Sequence, residues 1–281
     1  MSSEPALLYE FSLQSTVRFG LALPLATHSA IDMSKWVIEA ENLRKTFAWT
    51  PVVDEVSCRI GAGEIVGIFG PNGAGKTTCL RLLATLLRPS AGTLRLFNDD
   101  PYRPSVRRRL GFLGHDSFLY PDLTPIENLS FYGRAYGVSD LKERIDLTLE
   151  QIGLRDWRDT PVRAFSRGME QRLALARALF HEPDLLLLDE PYTGLDARGV
   201  ATLQATLGRA KEQKKTIVLT THDFALGLPL CDRALILQRG RICWESTGRL
   251  PSVQEFVEIY LAKTQSSALQ TPNSGLRTPN S

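Results

Sequence analysis

The eight residues 70–77, GPNGAGKT, constrain the fold of this chain more than any other stretch. They fit the pattern G-x-x-x-x-G-K-[ST] and lie between an apolar run, GEIVGIFG at 63–70, and a segment with Leu80, Leu83 and Leu87 at helical spacing. A glycine-rich turn from strand to helix presents backbone N–H groups and the positive end of a helix dipole to one point. The pattern therefore predicts a phosphate-binding loop, with Lys76 on the β- and γ-phosphates and Thr77 on Mg²⁺.

Strand-like and helix-like segments alternate along the rest of the chain. The runs DLLLLDE (184–190) and TIVLTT (216–221) are short and continuously apolar, as buried strands of a parallel sheet are. Residues 120–163 differ, because they show helical periodicity without a strand-like run, and Thr124-Pro125 followed by Glu127 predicts a capping box. The pattern predicts an α/β fold with parallel crossovers and a helical insert.

Composition limits the partners and the chemistry. The chain has 281 residues, 43% of them hydrophobic, and a net charge of +2, which predicts a globular protein of one or two domains and no nucleic-acid partner. The four cysteines lack CxxC spacing, which argues against a disulfide framework and a zinc site. The apolar segment 19–26 is too short to span a bilayer and contains Pro24.

Both ends of the chain lack the patterns of a packed domain. Residues 1–32 show no sustained periodicity, and we expect a disordered extension there, with Met33 as the natural start. Residues 264–281 include a repeated TPNS sequence, and we expect a disordered tail. The remaining residues, 33–263, form the predicted domain.

Two acidic residues end the run at 184–190. Asp189 lies at the end of the predicted buried strand, where it is expected to hold Mg²⁺ through water. Glu190 follows directly and is expected to accept a proton from a water molecule that attacks the γ-phosphate.

A second anion-binding segment lies at 164–172, AFSRGMEQR. Ser166 and Gly168 stand at the predicted first turn of a helix, where a hydroxyl and free N–H groups suit an anion. One chain has no need of two such sites for a single triphosphate, which raises the question of what the second one binds.

The order of these motifs resembles that of the ATP-binding cassette (ABC) ATPase family over residues 36–263, with FSRGM at 165–169 in the place of the signature LSGGQ. The resemblance implies a P-loop NTPase core with a parallel sheet, an antiparallel β-subdomain and a helical signature subdomain at about 120–180. It also implies ATP and Mg²⁺ as cofactors. In that family two cassettes pack head to tail, so Ser166 and the N–H of Gly168 would contact the γ-phosphate held by a second copy or a homologous cassette.

The resemblance assigns further site residues. Asp196, in YTGLD, would cross the dimer seam, and His222 would sense the γ-phosphate and orient Glu190. Phe47 would stack on adenine, although Trp49 is close enough to compete and either ring could belong to the core. The implied nucleotide-binding loop comprises Gly70, Pro71, Asn72, Gly73, Ala74, Gly75, Lys76, Thr77 and Thr78.

His115 departs from the family pattern, which usually has a glutamine there that contacts Mg²⁺ and the attacking water. A neutral imidazole could take over the hydrogen bonding of the glutamine through one nitrogen. Asp116 is an alternative Mg²⁺ contact, and a purely structural role for His115 is the third interpretation.

The resemblance implies an ATP-hydrolysing subunit bound peripherally at the cytoplasmic face of the plasma membrane, beside a separate transmembrane permease. Phe118, Tyr120 and the helix from Pro125 toward Tyr136 are the candidate docking surface, and ordinary packing of those aromatic residues is the alternative interpretation. The short C-terminal part favours export. The wording FSRGMEQRLALARAL is similar to ATPases of the haem exporter used in cytochrome c biogenesis, and an ABC-2 type drug or lipid exporter is the nearest alternative. Soluble ABC proteins of translation or DNA repair, and an inactive nucleotide-binding assembly subunit, are the alternatives of another class.

Overall fold

The computed structural model describes residues 36–265. The expected extension at 1–32 lies outside the described residues, as does the expected tail, apart from Thr264 and Gln265. The predicted domain boundary at 33 therefore stays a prediction. Between residues 36 and 265, no helix is both long enough and apolar enough to cross a membrane.

Strands and helices alternate, as predicted. The strands are β1 (Trp36–Phe47), β2 (Thr50–Gly61), β3 (Ile65–Phe69), β4 (Ala91–Leu96), β5 (Leu110–Leu113), β6 (Leu185–Asp189), β7 (Thr216–Thr220), β8 (Arg233–Gln238) and β9 (Arg241–Glu245). The α-helices are α1 (Lys76–Leu83), α2 (Pro104–Arg107), α3 (Pro125–Tyr136), α4 (Leu141–Gln151), α5 (Arg167–Leu179), α6 (Ala197–Glu212), α7 (Phe224–Gly227) and α8 (Val253–Gln265). The predicted helix after the phosphate loop ends at Leu83, so Leu87 lies beyond it while still packing on the core.

The strands form two sheets. A three-stranded antiparallel sheet has the order β2-β1-β4, and a six-stranded sheet has the order β5-β6-β7-β3-β8-β9. In the larger sheet β5, β6, β7, β3 and β8 are parallel, and β9 is added antiparallel to β8. The predicted core sheet and antiparallel subdomain are both confirmed.

The larger sheet is buried on both faces, which explains why its strands are continuously apolar in sequence. Leu185 and Leu187 of β6 belong to one apolar cluster with α1, whereas Leu186 and Leu188 belong to a second cluster with α5 and α6. Successive side chains of a strand point to opposite faces, so the interior positions of a strand covered on both sides are apolar one after another.

The parallel arrangement places several loops at one edge. In the register of the sheet, Asp189 lies beside Thr220, and Thr220 lies beside Ile68. Leu113 at the end of β5 lies beside Leu188. The loops that follow β3, β5, β6 and β7 therefore leave the sheet at the same edge, where ligand sites of open α/β sheets lie.

The helical insert is confirmed. The predicted capping box is present at the start of α3, where the Thr124 hydroxyl accepts from the N–H of Glu127 (3.3 Å) and the Glu127 carboxylate accepts from the N–H of Thr124 (2.8 Å). The Ser166 hydroxyl likewise accepts from the N–H of Met169 (3.3 Å) at the start of α5. A third apolar cluster, which includes Leu129 and Leu173, joins these helices.

Candidate functional site

The phosphate loop adopts the tight turn that its glycines predict. Gly75, the N-cap of α1, has a φ of 99°, a conformation that side chains other than glycine rarely adopt. A Cβ at this position would collide with the carbonyl oxygen of Val52 in β2. Glycine at position 75 therefore lets the loop pack against β2 and turn directly into α1, whose first N–H groups are free of intrahelical partners and suit a phosphate.

Lys76 is buried at the start of α1, with 7% of its surface exposed. Its Nζ donates to the carbonyls of Gly70 (2.8 Å) and Pro71 (3.3 Å) and lies 3.9 Å from the Glu190 carboxylate. Burial lowers the pKa of Lys76, and the carboxylates of Glu190 and Asp189 oppose that effect. The ammonium group is thus held at the loop by weak acceptors that a phosphate oxygen can replace.

Thr77 and Asp189 meet, as predicted for a shared metal ion. The Thr77 hydroxyl donates to Oδ1 of Asp189 over 3.2 Å. The same carboxylate oxygen accepts from the hydroxyl of Thr220 over 2.6 Å. Asp189 is 3% exposed, and one oxygen of its buried carboxylate accepts from both hydroxyl groups.

Glu190 and His222 form a second pair beside the first. Nδ1 of His222 lies 2.8 Å from Oε2 of Glu190, and the His222 backbone N–H donates to the same oxygen over 3.2 Å. A carboxylate only accepts, so Nδ1 of His222 carries the hydrogen. Glu190 has a φ of 49°, a strained conformation for a residue with a Cβ and one that is found preferentially at functional sites.

His115 follows β5 at the same edge of the sheet and is exposed. Neighbouring Asp116, the alternative Mg²⁺ contact, points toward α1, where its Oδ2 lies 3.5 Å from Nη2 of Arg81. The roles of His115 and Asp116 stay predictions.

Phe47 and Trp49 lie at the hairpin between β1 and β2, and the suggestion that either ring belongs to the core is wrong. Phe47 is 45% exposed and Trp49 is 97% exposed. The hairpin turn projects both rings away from the apolar clusters, so they remain candidates for contact with a base. Nζ of Lys45 lies 5.2 Å from the centre of the Phe47 ring.

The residues predicted for the dimer seam are accessible. Ser166 is exposed and Gly168 is half-buried at the start of α5. Asp196 is exposed and caps α6, since its Oδ1 accepts from the N–H of Gly199 over 2.7 Å. Nothing in this geometry assigns these residues to a partner's nucleotide, and that assignment stays a prediction.

Comparison with known proteins decides the family. The sequence profile described as "ABC transporter" matches residues 53–193. The chain is 39% identical over 208 residues to the ABC transporter ATP-binding protein NatA of Bacillus subtilis, covering 72% of this chain and 84% of NatA. The chain belongs to the ABC transporter family. It is an ABC transporter ATP-binding subunit and an ATPase.

Two further ABC relatives have names that describe their function. The chain is 40% identical to the Nod factor export ATP-binding protein I of Cupriavidus metallidurans, covering 73% of this chain and 69% of that one. It is 39% identical to the daunorubicin/doxorubicin resistance ATP-binding protein DrrA of Streptomyces peucetius, covering 76% of this chain and 67% of the relative.

Solved ABC structures share the fold. One is the ATP-binding subunit of an ABC transporter, with a TM-score of 0.73 and 28% identity, covering 79% of this chain and 99% of that one. Another is a dimeric ATP-binding cassette in a post-hydrolysis state bound to ADP and Pi, with a TM-score of 0.69 and 27% identity, covering 76% and 100%.

Sequence reasoning missed several residues of this ABC site. Thr220 ends β7 and contacts Asp189; its only signal in sequence is a polar residue at the end of an apolar strand. Ser117 donates to Glu170 of α5 over 2.6 Å, and Arg177 of α5 donates to the carbonyl of Phe112 over 2.6 Å. The first contact attaches the loop that contains His115 to α5, and the second attaches β5 to the same helix. No local sequence motif predicts either contact.

Proposed function

We propose that the chain hydrolyses ATP to drive export through a separate membrane subunit of ABC-2 type. The observation that carries this proposal is the similarity, at 39–40% identity, to subunits named for Nod factor export and for daunorubicin/doxorubicin resistance. One name describes export and the other describes resistance to two drugs, so we propose a drug-like or lipid-linked cargo.

Haem export for cytochrome c biogenesis is the second candidate. The features that suggested it are the wording FSRGMEQRLALARAL and the short C-terminal part of the chain. The names of the relatives favour the ABC-2 alternative, and they also favour a transporter over a soluble ABC protein of translation or DNA repair.

The site contains the groups that hydrolysis of a nucleoside triphosphate needs. We propose that the N–H groups of the loop at 70–78 bind the phosphates, with Lys76 neutralising the β- and γ-oxygens. Glu190 accepts the proton of the attacking water, because it lies 3.9 Å from Lys76 and is held by His222 at 2.8 Å. His222 thereby acts as the residue that orients Glu190.

Mg²⁺ fits the donor set of Thr77 and Asp189. A hydroxyl oxygen and a carboxylate oxygen that lie 3.2 Å apart are the hard oxygen ligands that Mg²⁺ prefers, with phosphate oxygens and waters completing the shell. When bound, the ion neutralises charge on the phosphates. Thr220 keeps the Asp189 carboxylate turned toward Thr77, since it donates to the same oxygen.

We propose that the active form is a head-to-tail dimer with a second copy or a homologous cassette. In this arrangement Ser166 and the N–H of Gly168 bind the γ-phosphate held by the partner, and Asp196 lies at the seam. This would explain a second anion-binding segment in a chain that already has a phosphate loop. The dimer would bind the permease through Phe118, Tyr120 and α3 at the cytoplasmic face of the plasma membrane, and a dimeric cassette among the structural relatives supports such pairing.

A Glu190→Gln variant tests the hydrolytic role. We expect its ATPase rate to fall by about a hundredfold or more, because the amide is no base, while ATP binding persists and an ATP-bound dimer accumulates. Size-exclusion chromatography with ATP and a phosphate-release assay measure both effects. Glu150→Gln, an exposed carboxylate 3.6 Å from Arg155, is the matched control. Wild-type turnover in Glu190→Gln would exclude the proposed base, and an inactive wild type would favour an assembly subunit.

The cargo is tested in the complex with the co-purifying membrane subunit. We expect the reconstituted complex to increase its ATPase rate with an amphiphilic drug such as daunorubicin and not with haem. The reverse result would reject the ABC-2 proposal in favour of haem export.

A further inference from the structure

The phosphate loop, β2 and the turn between β8 and β9 are far apart in sequence but are joined by backbone hydrogen bonds. The N–H of Gly240, in the turn between β8 and β9, donates to the carbonyl of Ala74 over 2.9 Å, and the Gly240 carbonyl accepts from the N–H of Asp54 over 2.8 Å. Gly240 has a φ of 79°, and a Cβ there would lie 2.6 Å from the carbonyl oxygen of Val52. Only glycine fits, and this one residue ties β2 to the phosphate loop.

Four charged side chains surround this contact; we name Arg44, Asp54, Glu55 and Arg241 the charge cluster. Arg241 lies 2.6 Å from Asp54 and 3.0 Å from Glu55. Arg44 lies 2.8 Å from Asp54 and 3.0 Å from Glu55. Both arginines thus bind both carboxylates, and they bridge β1, β2 and β9. The hydrogen bond from Arg241 is the largest cause of the lowered pKa of Asp54.

The backbone within the charge cluster is irregular. Glu55 has a φ of 57°, and the register between β1 and β2 shifts on both sides of the pair formed by Lys45 and Val53. Such shifts redirect a strand, and a left-handed residue with a Cβ persists only where its surroundings hold it. The two arginines supply that restraint through the Glu55 side chain, and a closed network is worth more than isolated exposed pairs.

The redirected strands lead directly to the hairpin that carries Phe47. Phe47 pairs with Thr50 at the end of the ladder, three residues beyond Arg44. The same cluster is linked through Asp54 and Gly240 to Ala74 in the phosphate loop. The charge cluster therefore lies between the part of the site proposed to bind the base and the part proposed to bind the phosphates.

We propose that Arg241 is a positioning residue for ATP. It holds the hairpin with Phe47 at a set distance from the phosphate loop, so that one nucleotide reaches both. This inference rests on the proposed nucleotide site. It adds the requirement that β9 hold together the hairpin that contacts the base and the loop that contacts the phosphates.

An Arg241→Met variant tests the inference, because it keeps most of the side-chain volume and removes the charge. We expect the KM and Kd for MgATP to rise about three- to tenfold, with kcat at saturating ATP within about twofold of wild type, since only the spacing of the binding groups changes. Inorganic tripolyphosphate has no base to contact Phe47, so its inhibition constant should stay unchanged. Arg241→Lys keeps the charge and should recover part of the ATP affinity.

Arg59→Met is the matched control. Arg59 has the same side-chain exposure as Arg241, 56%, and pairs with Glu41 over 3.3 Å within the three-stranded antiparallel sheet, outside the charge cluster. The inference would be overturned if Arg241→Met weakened the binding of ATP and of tripolyphosphate equally, or if it left the KM for MgATP unchanged. The same effect from Arg59→Met would also overturn it. If Arg241→Met does not fold, Glu55→Gln removes the charge of a carboxylate that binds Arg241. Its effects on ATP and tripolyphosphate are then compared in the same way.

Failure of the nucleotide site itself would give a different result. Lys76→Ala with wild-type ATP affinity would contradict the phosphate site, and Phe47→Ala with wild-type affinity would contradict the base contact. Loss of affinity in both variants, together with no effect of Arg241→Met, would reject the positioning role alone.

Discussion

Removal of the Thr220 hydroxyl is the sharpest test of how the Asp189 carboxylate is held. Thr220 is fully buried and donates to Oδ1 of Asp189 over 2.6 Å. A Thr220→Val variant keeps the shape of the side chain and removes this donor. The N–H of Glu190 also loses the hydroxyl as an acceptor, but it keeps the Thr220 carbonyl at 3.0 Å. The loss of stability therefore comes mainly from the missing hydrogen bond to the Asp189 carboxylate.

A hydrogen bond to a charged group contributes about 1.5–3 kcal/mol to the free energy of unfolding. We expect Thr220→Val to lower that free energy by about 2 kcal/mol, which for a domain of this size lowers Tm by roughly 4–8 °C. Loss of a group that orients a metal ligand weakens metal binding by about 10- to 100-fold, so the Mg²⁺ concentration for half-maximal ATPase activity should rise by that factor.

Thermal unfolding and an ATPase assay titrated with Mg²⁺ measure the two effects. Thr216→Val is the matched control, because Thr216 is equally buried on the same strand and its hydroxyl accepts from the neutral N–H of Gly63 over 3.0 Å. Thr216→Val should lower stability by about 1 kcal/mol and leave the Mg²⁺ dependence unchanged. Equal Mg²⁺ dependence in Thr220→Val and Thr216→Val would refute the reasoning, and Thr220→Ser should restore the wild-type value.

Two further predictions concern stability. Burial lowers the pKa of His181 to about 4, below the value of about 6.5 in the unfolded chain, so the unfolded state binds more protons between these values. The stabilising contribution of neutral His181 is present above about pH 6.5 and is lost as the pH falls toward 4. Urea unfolding at pH 7 and 5 should show a larger loss for wild type than for His181→Gln, and parallel losses would contradict this. Arg177→Met leaves the Phe112 carbonyl without its donor and should lower the free energy of unfolding by about 2–3 kcal/mol, whereas Arg163→Met, which breaks an exposed pair with Asp122, should change it by less than about 1 kcal/mol.

Several elements could be predicted closely because their own residues decide them. The capping box at Thr124 and Glu127 and the start of α3 at Pro125 follow from hydrogen bonds within one turn of helix. The strands that end at Phe69, Asp189 and Thr220 follow from apolar runs that only a sheet covered on both faces can bury.

The exposure of the aromatic residues could not be predicted in the same way. Phe47 and Trp49 are two positions apart and both are large and apolar, so the sequence allowed either ring to be core. The hairpin turn, with Ala48 at a φ of 43° and Trp49 at 74°, carries both away from the apolar clusters. That outcome depends on how β1 pairs with β2, which no property of the two residues reveals.

The sequence by itself was enough to predict which residues belong to the candidate site: the phosphate loop with Lys76, the acidic pair and the histidine after the next strand. Only the tertiary structure decided which groups support them. Thr220 contacts Asp189 across 31 positions of sequence, and Arg241 contacts Asp54 across 187. The first contact joins the neighbouring strands β6 and β7, and the second joins β9 of the larger sheet to β2 of the smaller one. Spacing along the chain specifies a turn or a helix face, whereas neighbours across a sheet are chosen by the burial of the whole fold.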